Sequence, residues 1–94
     1  MPALIWHPDA LADVARLHQF LAQSSPAAAR RGATAIIKTA NKIIKNPRLG
    51  APRAEFREWP AKFGKRAYVL RYFILVNGDI LITRVWHSRE QRPS

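Results

Sequence analysis

Two strand-like runs joined by a turn, in the second half of the chain, constrain the fold more than any other feature. The runs read "RAYVLRYFILV" and "ILITRVWH", and "NGD" joins them. Asn-Gly between runs rich in β-branched and aromatic residues is the strongest short-range signal for a β-hairpin. The sequence therefore predicts a hairpin with a two-residue turn at Asn77 and Gly78. In that register Leu81 and Thr83 lie on the core face.

The same register predicts which residues lie opposite each other on the second face of the hairpin. Residues whose numbers sum to 155 pair, so Arg71 lies across from Arg84. Like charges at that spacing repel, and a carboxylate or phosphate between them relieves the repulsion. Phe73 and Trp86 flank the pair, and aromatic residues around arginines are typical of a binding surface. Alternatively, the arginines are only solvated and the aromatic rings pack under the C-terminal tail. A three-residue turn would break the pairing.

The first half of the chain predicts a short strand and two helices. The apolar segment "ALIW" favours a strand, and apolar residues at helical spacing then favour a helix over residues 8–23. Ser25 and Pro26 are typical of a second helix start, and Pro47 ends that helix. The short link between the helices predicts an antiparallel helix hairpin.

The order of these elements predicts an α+β fold. A short N-terminal strand and an antiparallel helix hairpin precede the C-terminal strands, so we expect the hairpin to pack on an antiparallel sheet. The chain has 94 residues, which suffice for one modest core. We expect residues 1–94 to form a single domain.

The charge is strongly unbalanced towards positive residues. Sixteen Lys and Arg stand against six Asp and Glu, and between Asp13 and Glu55 there are eight basic residues and no acid. Such an imbalance indicates a polyanionic partner, either nucleic acid or an acidic protein, although it can also serve only solubility. At ~100° per residue, four basic residues share the polar face of the second helix. They are Arg31, Lys38, Lys42 and Lys45.

Most kinds of active site lack their required residues. The chain has no cysteine, and no two of its three histidines have the spacing of metal ligands, so we expect no metal and no cofactor. We also expect no membrane span and no signal peptide, which predicts a cytoplasmic protein. One catalytic route remains, which is metal-independent RNA cleavage. In it His87 would act as acid or base, with Arg89, Arg66 and Arg57 as cations.

Several motifs in this order resemble the RelE/ParE family of toxins from bacterial and archaeal toxin–antitoxin modules. They are "P-x-A-x-x-D" at Pro8–Asp13, "NPRLG" at Asn46–Gly50, "FREW" at Phe56–Trp59, and the closing "YVLRY…NGD-ILITRVWHSRE". The likeness covers nearly the whole chain. It implies a growth-inhibiting cytoplasmic toxin, associated with plasmid stabilisation, that a cognate antitoxin neutralises by wrapping around it.

The resemblance also implies one of two targets. RelE-like members cut mRNA in the ribosomal A site with basic residues on the central sheet, whereas ParE-like members poison DNA gyrase. The RelE-type strand arginine aligns with Val69, and a later arginine aligns with Arg89. No residue matches the C-terminal tyrosine, and "RVWHSRE" is more similar to ParE-type sequences. Arg71 and His87 remain candidates for a variant nuclease.

Our leading hypothesis from the sequence is a ParE-like toxin that inhibits gyrase by protein binding. The alternatives are a ribosome-dependent mRNA interferase that uses His87 and Arg89, and a non-toxic basic nucleic-acid-binding module that uses the helix stripe. We expect the antitoxin on the helix hairpin or on the open face of the sheet. The predicted partner-binding residues are Arg57, Arg66, Arg71, Phe73, Arg84 and Trp86.

Overall fold

Two helices pack on one face of a five-stranded sheet in the computed structural model, which describes residues 2–93. The elements are β1 (Leu4–Trp6), α1 (Pro8–Ser24), α2 (Pro26–Lys45), a 3-10 turn (Pro47–Leu49), β2 (Ala51–Arg53), β3 (Phe56–Phe63), β4 (Arg66–Ile74) and β5 (Ile80–His87). The predicted α+β class and helix hairpin are confirmed. The segment after Gly50 forms two strands, β2 and β3, because the chain turns at Ala54.

The strand order is β1-β5-β4-β3-β2. β1 runs parallel to β5, and the other pairs are antiparallel. The sheet is therefore mixed, because the helix hairpin carries the chain from β1 across one face before the antiparallel strands begin.

Local capping sets the helix starts close to where the sequence predicts them. The His7 Nδ1 atom accepts the Asp9 N–H at 3.0 Å, and the Ser25 hydroxyl accepts the Ala28 N–H at 3.1 Å. A proline follows each cap, where its missing N–H has no cost.

The core lies between the helices and the sheet. α1 packs mainly on β5, and α2 packs on β3. Leu17 and Leu21 of α1 meet Ile36 and Ile43 of α2 in this layer. The sheet side of the core consists of Ala61, Tyr68, Leu70, Tyr72, Ile80, Ile82 and Val85.

The β4–β5 turn is one residue longer than predicted. Residues 76–78 form the loop, which Gly78 closes with φ 91°, and the Leu75 N–H donates to the Asp79 carbonyl at 2.8 Å. Next to the loop Ile74 therefore pairs with Ile80.

A β-bulge further along restores the predicted register. It falls where Tyr72 pairs with Ile82 and Arg71 pairs with Arg84, so that Thr83 is the extra residue on β5. The predicted Arg71–Arg84 backbone pairing is thus confirmed, although the predicted turn is wrong. Between the longer turn and the bulge the predicted faces are wrong, since Ile80 and Ile82 are buried in the core in place of Leu81 and Thr83.

Candidate functional site

The sheet face opposite the helices carries a buried arginine, Arg71. Its side chain is 8% exposed, and its Nη2 atom lies 3.2 Å from a carboxylate oxygen of Glu58, whose side chain is 4% exposed. The guanidinium also stacks on the rings of Phe56 and Trp86, with its central carbon 4.2 and 5.2 Å from the ring centroids. Arg71 is therefore neutralised and enclosed by this chain's own residues.

The segment after β5 closes this face. The Arg71 Nη2 atom donates to the Pro93 carbonyl at 3.0 Å, and Arg92 lies 3.2 Å from Glu58. Trp86 is only 3% exposed. Trp86 is therefore buried beneath the C-terminal tail, as the alternative interpretation of the sequence predicted for the aromatic residues.

Arg84 turns away from Arg71 towards helix α1. Its Nε and Nη2 atoms donate to the two carboxylate oxygens of Asp13 at 2.8 and 3.2 Å. These hydrogen bonds raise the pKa of Arg84. Asp13 is buried and also accepts the backbone N–H of Val85 at 2.8 Å.

The expected exposed pair of arginines on the open face is therefore not formed. Arg71 and Arg84 are backbone partners, but each guanidinium binds a different buried acid. Phe73 is half-buried and packs against Phe56 at a centroid distance of 5.9 Å. The correction has a simple physical cause: a nearby carboxylate neutralises each arginine, so no external anion is needed.

A cleft between α1 and the ends of β4 and β5 brings three of the four residues proposed for catalysis together. We call this cavity of about 520 Å³ the histidine cleft. Its lining consists of Arg16, Leu17, Phe20, Leu21, Arg66, Tyr68, His87, Arg89 and Glu90. Arg57 is not part of it, because its Nη1 atom donates to the Gly50 carbonyl at 2.7 Å, in the loop after α2.

Hydrogen bonding determines what His87 presents to this cleft. Its Nδ1 atom accepts the backbone N–H of Arg89 at 3.1 Å, so the neutral ring carries its proton on Nε2. The ring meets Tyr68 edge-on at 5.6 Å. Burial raises the pKa of the Tyr68 hydroxyl, and Arg66 opposes that rise. Glu90 already pairs with Arg16 at 2.8 Å, so the histidine cleft offers an anion the Nε2–H of His87 and the cations of Arg66 and Arg89.

A second concave surface lies between α2 and β3, and we call it the basic groove. It has a volume of about 920 Å³ and contains Arg31, Lys38 and Lys42 of the predicted helix stripe. Lys45 is exposed but lies outside its lining. Arg30 and Lys62 also line the groove, and analysis of the sequence missed both. The helical periodicity of α2 could not indicate Lys62, because this residue reaches the groove from β3.

We also searched residues 2–93 for a membrane-spanning helix and for a metal-binding cluster. No helix within residues 2–93 is both long and apolar enough to span a bilayer. Over the same residues, no three histidine or carboxylate side chains gather where a metal ion could bind.

Comparison with known proteins gives a consistent family. The model of the ParE toxin of the type II toxin–antitoxin system parDE matches residues 4–92. The toxin RelE3 of Caulobacter vibrioides is 31% identical over 86 residues, which cover 90% of this chain and 92% of that toxin. The toxin RelE1 of the same bacterium is 33% identical over 81 residues, covering 85% and 86%.

A solved structure has the same fold. A chain of the chromosomal ParDE toxin–antitoxin system from P. aeruginosa superposes with a TM-score of 0.71 at 16% sequence identity, covering 93% of this chain and 96% of that one. Membership of this family implies a cognate antitoxin as partner. The family model spans nearly all of the sequence, and both relatives match this chain over most of their own length. This chain therefore belongs to the RelE/ParE family of type II toxin–antitoxin toxins.

Proposed function

We propose that this toxin is ParE-like and inhibits DNA gyrase by binding it, until a cognate antitoxin neutralises it. The main support for this proposal is that Arg71 is buried and paired with Glu58. A RelE-like nuclease needs cations on the central sheet that are ready to grip a phosphate. Here Val69 occupies the aligned position, and Arg71, two residues along the same face, is held by Glu58. This arrangement supports a role without RNA cleavage at that face.

The helix hairpin exposes three large apolar side chains that an antitoxin would cover. Leu11, Phe20 and Ile37 are 54%, 68% and 55% exposed. At ~100° per residue, Leu11 and Phe20 lie on opposite sides of α1, so an antitoxin that covers both must wrap around the helix. Arg66 lines the histidine cleft next to Phe20 and is exposed, so it would pair with an antitoxin carboxylate. Contact with Arg71 or Trp86, which we also expected, requires the segment after β5 to move aside.

A second function, mRNA cleavage, is favoured by the histidine cleft and by the RelE names of the two relatives. In this reaction the 2′-oxygen attacks phosphorus and loses its proton to a base. The bond to the 5′-oxygen breaks, and an acid protonates that oxygen, which leaves a 2′,3′-cyclic phosphate and a 5′-hydroxyl. His87 would donate that proton as the imidazolium, Arg66 and Arg89 would bind the phosphate, and a solvent water would take the proton of the 2′-hydroxyl. We place this function second because the Nδ1 lone pair of His87 already accepts the Arg89 N–H, and either an acid or a base role requires that lone pair to take up a proton.

A pair of reconstituted assays tests the proposal. Purified toxin is incubated with gyrase and supercoiled DNA, and separately with translating ribosomes and message. We expect trapped gyrase–DNA cleavage complexes and intact message. The double variant His87→Ala/Arg89→Ala should poison gyrase as well as the parent does. Cuts in the message that are lost in this variant, with no gyrase complex, would establish the second function instead.

A growth test separates both functions from a non-toxic module. Induction of the toxin alone should stop growth, and co-expression of the antitoxin should restore it. Unimpaired growth on induction, with soluble folded protein in the cells, would contradict both toxin functions.

A further inference from the structure

The basic groove contains five cations without a neighbouring acid. Arg30, Arg31, Lys38, Lys42 and Lys62 line it, and its lining includes no Asp or Glu. Among residues 2–93, the ion pairs of the chain instead involve His7, Arg16, Arg53, Arg71, Arg84 and Arg92. The acids of this small protein thus neutralise other surfaces and leave the groove positive.

The cations on α2 follow a line along the groove. At 1.5 Å per residue, Arg31 and Lys38 are separated by about 10 Å along the helix axis, and Lys38 and Lys42 by about 6 Å. The whole line is roughly 16 Å long, so it can contact several successive phosphates of a strand. The side chain of Arg31 is positioned over the Phe63 ring, with its central carbon 5.9 Å from the ring centroid.

The β3 wall of the groove adds an aromatic ring to the cations. Trp59 and Pro60 line it together with Lys62, and Trp59 is half-buried against the core. A partly buried tryptophan beside a line of cations is a combination with which proteins bind single-stranded nucleic acid, since the cations bind phosphates and the ring stacks on a base. A duplex keeps its bases paired and offers no such face to Trp59.

From this arrangement we infer that the basic groove is a binding site for single-stranded nucleic acid, with the backbone along α2 and a base against Trp59. An acidic peptide also matches the charge, but an unpaired base matches both the line of cations and the flat face of Trp59. The inference does not depend on the toxin's target. The gyrase and ribosome assays can therefore fail while the groove binds single strands, and the groove can fail to bind them while those assays succeed.

The test compares two variants that have lost the same charge. Lys38→Gln/Lys42→Gln removes two groove cations, and Arg48→Gln/Lys65→Gln removes two exposed cations outside the groove lining. Binding of labelled single strands of roughly 15 nucleotides, one of DNA and one of RNA, is followed by fluorescence anisotropy over a range of salt concentrations. Thermal unfolding confirms that each variant is folded.

We expect the groove variant to bind at least about tenfold more weakly and to lose about 1.4 from the slope of log affinity against log salt, at about 0.7 per phosphate contact. The control variant should keep most of that slope. Tryptophan fluorescence should be quenched by the oligonucleotide in the parent and not in Trp59→Phe. The DNA and RNA strands together show which polymer the groove prefers, and tight binding of either supports the site.

Three results would overturn the inference. Equal weakening in both double variants would mean that only net charge matters. Tighter binding of a duplex of the same length would exclude a single-strand site. Competition by a glutamate peptide as effective as that by the oligonucleotide, with no quenching of Trp59, would identify an acidic protein segment as the occupant.

Discussion

At the scale of single residues, one tyrosine hydroxyl ties the loop after α2 to the sheet. Tyr72 donates to the Pro47 carbonyl at 2.6 Å and accepts the Gly50 N–H at 2.8 Å. Burial raises the pKa of this hydroxyl. A Cβ atom at Gly50 would lie 2.6 Å from the Tyr72 oxygen, which is too close. Glycine at this position is therefore required for space, since its φ of −71° suits any residue.

Loss of either residue should destabilise the fold. Tyr72→Phe leaves the buried Gly50 N–H without its acceptor, at a cost of about 1–3 kcal/mol in the free energy of unfolding. Gly50→Ala forces Tyr72 to move and should cost about as much. Phe removes the nearest clashing atom but keeps the ring carbon that would lie 2.8 Å from the new Cβ, so the double variant should lose somewhat less than the sum of the two. Urea unfolding measures all three.

Tyr68→Phe is the matched control for this cycle. The Tyr68 ring is equally buried, but its hydroxyl interacts with Arg66 of the same strand. An unfolding free energy that falls no further in Tyr72→Phe than in Tyr68→Phe would refute the role of the hydroxyl.

At the scale of elements, two carboxylates protect the exposed edge of β5. Within residues 2–93, β1 pairs with Ile80–Ile82, so the rest of β5 has no strand on the side facing away from β4. Asp13 accepts the N–H of Val85, and Glu90 accepts the N–H of His87, each at 2.8 Å. Edge strands with free backbone groups promote association between chains. These side chains occupy the donors instead.

Removal of Asp13 should expose this edge. Asp13→Ala leaves the Val85 N–H and the Arg84 guanidinium without their acceptor, so we expect a loss of about 2–4 kcal/mol in unfolding free energy. Asp13→Asn keeps an acceptor oxygen and should lose less. Thermal melts measure stability, and sedimentation velocity measures association.

Asp9→Ala is the control for helix charge, because Asp9 lies on the same helix with an exposed side chain. A stability loss in Asp13→Ala no greater than in Asp9→Ala would contradict the protective role of Asp13.

At the scale of the whole molecule, the net charge of +10 is distributed unevenly. Asp13 and Glu58 are buried against arginines, while the cations of the basic groove face one another across a concave surface. Like charges that are held close together oppose the compact state, and salt screens this repulsion.

Salt should therefore stabilise the protein. We expect the melting temperature to rise by several degrees between about 0.05 and 0.5 M sodium chloride, where the Debye length shortens from over 10 Å to below 5 Å. Lys38→Gln/Lys42→Gln should melt higher than the parent at low salt and gain less from added salt. Scanning calorimetry measures both, and a melting temperature that falls with salt would show that ion pairs dominate over repulsion.

Locally determined features could be predicted from the sequence. The starts of both helices depend on a cap and a proline next to it, and those signals lie within a few residues of each other. The hairpin position was also predictable, because its turn residues adjoin its strands. The bulge at Thr83 was not, since it depends on burying both Ile82 and Val85 beside the helices.

By itself, then, the sequence determined the class of fold, the helix hairpin and the family, because these follow from local patterns and ordered motifs. Only the tertiary structure decided what the charged residues do. Glu58 lies 13 positions from Arg71, and Asp13 lies 71 positions from Arg84, and no periodicity links residues that far apart. Folding brings these pairs together, closes the face predicted to be open, and leaves the surplus positive charge along α2, because an acid can neutralise only the cations beside it.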